Sequence, residues 1–225
     1  MRSSILALQA ISVPAKGGQP KGLLVMLHGW GANAQDVAAL ASYVDLPDYQ
    51  FLFPNAPFPH PYAPMGRMWY GLPNDYSFFS RPEFRQQPEL QKSRSQLLRW
   101  LQSLPQTTGI PLTRTILGGF SQGGAMTLDV GLSMPVAGLM VLSGYLHAPL
   151  EPAELGLERS VSQPLPPILV VHGRQDPVVP LAAAQHVRDG LQKLGASVQY
   201  FEQDMGHEIQ PVVLSHMQSF IEEIT

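Results

Sequence analysis

Along the chain, short apolar runs alternate with stretches of helical period. The runs are LLVML (23–27), FLF (51–53), TIL (115–117), GLMVL (138–142), ILVV (168–171) and SVQYF (197–201). They lack strict apolar–polar alternation, which suits strands buried on both faces of a sheet. ILALQAISV (5–13) reads as an antiparallel edge strand. Between these runs, apolar residues recur every three or four positions, the spacing of one helix face. Asn33 is placed to cap a helix carrying Asp36 in its first turn and Val37, Leu40 and Val44 on one side. Pro88 opens a helix with Leu90, Leu97 and Leu101 inside and Pro105 beyond its end. Ala184, Val187, Leu191 and Leu194 form a stripe stopped by Gly195. Pro211 starts a last helix through Val213, Met217, Phe220 or Ile221, and Ile224. Strand alternating with helix predicts an α/β fold, a mostly parallel central sheet with helices on both faces.

Residues 54–83 break the pattern. They are rich in proline and carry Trp69, Tyr70, Phe78 and Phe79, with neither helical nor alternating period. A linker would be polar; a long aperiodic segment inside a compact domain is more often a lid or binding loop. Residues 57–80 are therefore expected to form a substrate-binding or lid loop on a single domain spanning 1–225, a length that buries a core without staples.

Composition narrows the function classes. A net charge of −3 gives no electrostatic footprint for nucleic acid. No apolar run is long enough to span a bilayer, so no stable membrane insertion is expected. The chain has no cysteine, which removes disulfides, thiolate metal sites and a cysteine nucleophile, and fits a reducing, cytoplasmic setting. The apolar run near the N-terminus is interrupted by Gln9, so no signal peptide is expected.

The chemistry gathers around ILGGFSQGGAMTL (116–128). Gly119-Phe120-Ser121-Gln122-Gly123 matches G-x-S-x-G, the nucleophile elbow, and here it follows the strand TIL and precedes a helical pattern at Ala125, Met126 and Val130. The turn must be tight enough to project the serine hydroxyl above the sheet edge. Glycine two residues to either side avoids collision with the neighbouring strand and helix. Alone the motif is a weak signal; a base and an acid in the right order strengthen it. Of the seven histidines, His207 lies in QDMGHEIQP, between the last apolar run and the last helix. His186 and His216 fall within helical patterns. Asp176, in VVHGRQDPVVP, directly follows ILVV at the end where open α/β sheets place their sites; Glu151 is the competing acid, further beyond its strand. The order Ser121, Asp176, His207 is that of α/β-hydrolases. Gln122, just after the serine, and Trp30, in LHGWGAN, are the expected donors of oxyanion-hole N–H groups.

These blocks resemble the phospholipase/carboxylesterase group of α/β-hydrolases, which includes acyl-protein thioesterases. LHGWGAN (27–33), GGFSQGGAMTL (118–128), LSGYL (142–146), HGRQDPVVP (172–180) and MGHEI (205–209) carry the resemblance across nearly the whole chain. It implies a compact serine esterase with little or no cap domain, without metal or organic cofactor, acting on small-molecule carboxylic esters or thioesters of short to medium acyl chains. It also implies a triad of Ser121, Asp176 and His207 with oxyanion amides at Trp30 and Gln122. Two blocks depart from the group's usual pattern. Where it often reads H-G-L-G-D, Trp30 replaces the leucine and Ala32 the acid; where it often reads W-[FY]-D, this chain has Trp69-Tyr70-Gly71. Trp30, Met68 and Trp69 are the expected walls of the acyl pocket. A lipase, lysophospholipase or peptidase on the same fold, or a non-catalytic binding protein, are the alternatives.

Overall fold

A computed structural model describes residues 8–73, 82–150 and 164–225, with the side chains of 82 and 83 excepted. Seven strands form one sheet in the order β1-β3-β2-β6-β7-β8-β9. They are β1 (Ala10–Val13), β2 (Gly22–Leu27), β3 (Tyr49–Pro54), β6 (Thr115–Phe120), β7 (Gly138–Leu142), β8 (Ile168–Gly173) and β9 (Val198–Gln203). β1 runs antiparallel to β3 and every other pairing is parallel. Five of the six apolar runs lie wholly within these strands, and SVQYF (197–201) does so from Val198 onward. Residues 5–7 of the expected edge strand lie outside the described residues.

Successive side chains of a strand point to opposite faces, and β2 divides its residues accordingly. Leu23, Val25 and Leu27 pack with Leu117, Val141 and Val170 beneath α2 (Pro88–Thr108), α3 (Gln122–Gly131) and α4 (Leu181–Lys193). Leu24 and Met26 pack with Phe51, Phe53 and Met140 beneath α1 (Ala34–Ala38) and α5 (Pro211–Ile224). Two apolar layers therefore sandwich the sheet, which explains why its central strands read as unbroken hydrophobic runs.

From β2 the chain passes to β3 on one side, then returns to β6 on the other. The strand order thus reverses at the β2–β6 boundary, where open sheets part their loops and leave a crevice at the C-terminal ends. α1 carries the expected cap: the Asn33 side chain accepts from the amides of Gln35 and Asp36, and the Asp36 carboxylate accepts from the Asn33 N–H. α2 departs from expectation at its end. Pro105 lies inside the helix, in its last turns, and the helix stops at Gly109, whose φ of 76° no side-chain-bearing residue adopts easily.

The aperiodic segment holds a small hairpin, β4 (Phe58–Pro59) against β5 (Arg67–Met68). It is tied to the loop after β2: Gly31 N–H donates to the Arg67 carbonyl at 3.0 Å, and Arg67 N–H donates to the Ala32 carbonyl at 2.8 Å. The Arg67 guanidinium donates to the carbonyls of Ala56 and Pro57, both at 2.9 Å. Residues 57–73 of the expected lid loop are thus bonded to the body of the protein; 74–80, with Phe78 and Phe79, lie outside the described residues. Among the described residues no helix is long and apolar enough to cross a membrane.

Candidate active site

β6 ends at Phe120 and α3 begins at Gln122, leaving Ser121 as a one-residue turn with φ 55° and ψ −118°. A non-glycine residue there is strained, by about 1–3 kcal/mol. The flanking glycines make the turn possible. A Cβ on Gly119 would lie 2.3 Å from the Gly123 carbonyl, and one on Gly123 would lie 2.4 Å from the Leu27 carbonyl. These are collisions with backbone, so strand and helix approach this closely only with glycine at both positions.

The two loops read from the sequence converge on this serine. His207 Nε2 lies 2.9 Å from Ser121 Oγ, and its Nδ1 lies 2.7 Å from Asp176 Oδ2. Asp176 Oδ1 accepts from the amides of Val178 and Val179, both at 2.8 Å. Burial would raise the Asp176 carboxyl, but the bonds from His207, Val179 and Val178 outweigh it and hold the group below its ordinary range. Its acceptor role toward His207 is thereby fixed. The Phe120 ring packs against the His207 imidazole, 4.7 Å between centroids. Glu151, the competing acid, lies outside the described residues.

The loop after β2 passes directly over the serine: a Cβ on Gly29 would lie 3.3 Å from Ser121 Cβ. Gln122 is the first residue of α3, so its N–H has no partner within the helix. Neither that N–H nor the Trp30 N–H has a hydrogen-bond acceptor among the described residues. Trp30 is 39% exposed, with its indole edge-on to His60 at 4.1 Å. Met68 is half-buried in β5. Trp69 departs from the expectation that it lines the acyl pocket. It is fully buried, and its indole N–H donates to the His28 carbonyl at 3.0 Å. It is a strut inside the protein, not a wall of the pocket.

Several further residues of this region leave little trace in the sequence pattern. His28 is fully buried, accepts the Ala56 N–H at Nε2 and, at Nδ1, lies 2.8 Å from the Gly29 carbonyl. Those partners require the neutral tautomer protonated at Nδ1. Burial pushes the ring down to about 4, against the opposing bond to Gly29. His172 is likewise buried, lies with Nε2 2.8 Å from the Val179 carbonyl, and is lowered chiefly by burial. Ser143, in LSGYL, is a second strained serine, with φ 48° at the end of β7. Only the glycine after Ser143 hinted at it.

The buried imidazole of His28 has a measurable consequence. Its folded value lies below the ordinary 6.5, so between pH 6.5 and 4 the unfolded chain takes up a proton that the native state refuses. Its contribution to stability is complete above pH 6.5 and is lost as pH falls toward 4, about 3 kcal/mol in all. The melting temperature should fall across this window, ahead of carboxylate titration. A His28 ring signal titrating near 6.5 in the native protein by NMR would contradict this.

The family model described as Phospholipase/Carboxylesterase matches residues 8–225. The chain belongs to the phospholipase/carboxylesterase family. Among solved structures this family member is similar to esterase PE8, with a TM-score of 0.86 and 31% identity over 98% of this chain and 100% of that one. Among curated proteins it is similar to acyl-protein thioesterase 1 of Saccharomyces cerevisiae, 27% identical over 96% of this chain and 98% of the relative. It is also similar to lysophospholipase-like protein 1 of Mus musculus, 30% identical over 91% of this chain and 87% of the relative. The hydrolase of this family described above is an enzyme of the carboxylesterase type on an α/β-hydrolase fold.

Proposed function

We propose that the protein is a cytoplasmic serine esterase that hydrolyses carboxylic esters, thioesters included, of short to medium acyl chains through an acyl-enzyme on Ser121. The observation that carries this reading is the continuous hydrogen-bonded chain from Asp176 through His207 to Ser121. His207 Nε2 accepts the hydroxyl proton as Ser121 Oγ attacks the acyl carbonyl. Asp176 keeps the ring in the tautomer with Nδ1 protonated and stabilises the imidazolium that forms. The N–H groups of Trp30 and Gln122 receive the negative charge on the tetrahedral oxygen; one such donor typically contributes about 3 kcal/mol to the transition state. His207 then protonates the leaving alcohol or thiol, and a water, deprotonated by the same ring, releases the acid. Trp30 and Met68 border the acyl group.

The test is direct. A fluorophosphonate should label one residue, Ser121, by peptide mass, and p-nitrophenyl esters should give a burst of about one p-nitrophenol per chain where deacylation is slow. No labelling, or labelling elsewhere, overturns the reading. The relatives named acyl-protein thioesterase favour a second version in which thioesters are preferred. An acyl-length series measured with matched oxygen esters and thioesters separates the two by kcat/KM.

A further inference from the structure

We infer that Trp69 is a positioning residue that couples the two halves of the oxyanion hole, an inference that rests on the function proposed above. The two candidate donors come from distant parts of the chain, Trp30 from the loop after β2 and Gln122 from the start of α3. A continuous set of buried hydrogen bonds joins them, and Trp69 is its middle member.

On one side, the Gln122 side chain clamps the backbone of residues 69 and 70. Its Oε1 accepts the Trp69 N–H at 2.9 Å and its Nε2 donates to the Tyr70 carbonyl at 2.8 Å. Gln122 is 1% exposed, so both bonds are shielded from water. The residue that offers its backbone N–H to the oxyanion therefore has its own side chain fixed to Trp69. On the other side, the Trp69 indole N–H donates to the His28 carbonyl at 3.0 Å, and the two rings stack at 5.6 Å between centroids. His28 Nδ1 in turn donates to the Gly29 carbonyl at 2.8 Å. That carbonyl and the Trp30 N–H belong to one peptide group. A trans peptide is planar, so fixing the direction of its C=O fixes the direction of its N–H.

The middle of the chain is itself held. Trp69 O accepts from Ser93 Oγ on α2. The Tyr70 hydroxyl lies 2.7 Å from both the Tyr145 hydroxyl and His147 Nε2. The indole is too deep to meet a substrate, yet both N–H groups of Trp69 are spent on the residues that aim the two donors, and its carbonyl is anchored to α2. Oxyanion donors act only when held within about half an ångström of the charge that develops, so this arrangement affects the rate of the chemical step rather than substrate binding.

Two variants test it: Trp69→Phe, which keeps a ring and removes the indole N–H, and Gln122→Met, which removes both side-chain bonds and leaves the backbone N–H of residue 122 in place. Active sites are counted by fluorophosphonate titration, so misfolded protein does not contribute. For each variant kcat per site should fall at least about tenfold with KM changed less than about threefold, as expected for an interaction made in the transition state. Affinity for a trifluoromethyl ketone, which forms a tetrahedral oxyanion on the serine, should fall by a similar factor, and the shape of the pH–rate profile should not move. Because the two bonds act in series, the double variant should be little worse than the worse single one. A merely structural role lowers the melting temperature and the number of titratable sites but leaves kcat per site and ketone affinity intact; that result overturns the inference, as does a double variant whose loss is the product of the singles. If Trp69→Phe does not fold, Gln122→Met alone decides by the same two readouts. A wild-type protein that neither labels nor turns over esters overturns the proposed function and this inference together, whereas an active wild type with unaffected variants overturns the inference alone.

Discussion

Ser121→Ala should lower kcat/KM for p-nitrophenyl butyrate by about 10⁵- to 10⁶-fold while leaving the fold in place. The nucleophile is lost, and only the amides of the oxyanion hole and substrate binding remain to favour reaction with water. Stability should change little. The backbone at residue 121 has φ 55°, and alanine is as poorly suited to it as serine, so no strain is relieved. The one bond removed, from Ser121 Oγ to His207, is part-exposed. Ser121→Gly is the informative partner. It removes the same hydroxyl and also the Cβ, so it should be as inactive as the alanine variant but more stable by about 1 kcal/mol, because glycine enters the positive-φ region freely. Calorimetry on the pair separates backbone strain from chemistry. Turnover by Ser121→Ala equal to wild type would remove the serine from the mechanism.

The parts of this protein that were legible in its sequence are those where physics permits few residue types. The central strands are covered on both faces, so β2, β6, β7 and β8 could only be apolar runs. The elbow is crowded against backbone on two sides, so glycine was obligatory at 119 and 123. His207 and Asp176 had to follow strands, and their loops place both within hydrogen-bond reach of their partners. Other features left no such trace. Two-residue strands such as β4 and β5 are too short to show a period, and what holds them is backbone bonding to Gly31 and Ala32, to which side-chain patterns are blind. The expectation that Trp69 lines a pocket fails because a large aromatic residue in an irregular segment has the same sequence pattern whether it faces a ligand or the core. Its complete burial and its indole N–H on the His28 carbonyl distinguish the two. Pro105 is expected beyond the helix end, yet the helix continues past it: the proline forgoes the bond to Leu101 and crowds that carbonyl, but so near the end three more residues still close on Gly109.

Asp176→Asn should lower kcat by about 10⁴-fold through the wrong tautomer of His207 rather than through lost shape. Asp176 uses its carboxylate entirely as an acceptor. Oδ1 receives the amides of Val178 and Val179, and Oδ2 receives the His207 ring. Asparagine has one oxygen to offer. Placed at the Oδ1 position, it satisfies both backbone amides and turns its NH₂ toward His207 Nδ1. That nitrogen must then be unprotonated to accept, which moves the ring proton to Nε2 and points an N–H at Ser121 Oγ. The base can no longer take the serine proton. The reverse placement keeps the ring tautomer but sets the NH₂ against two buried amides, at about 1–3 kcal/mol for each donor left without an acceptor. The first arrangement therefore wins, and the loop keeps its conformation. Nitrogen NMR of the imidazole should find the proton at Nδ1 in the wild type and at Nε2 in the variant, with kcat following the tautomer. An Asp176→Asn enzyme within tenfold of wild type would show that the acid does not set the tautomer of His207.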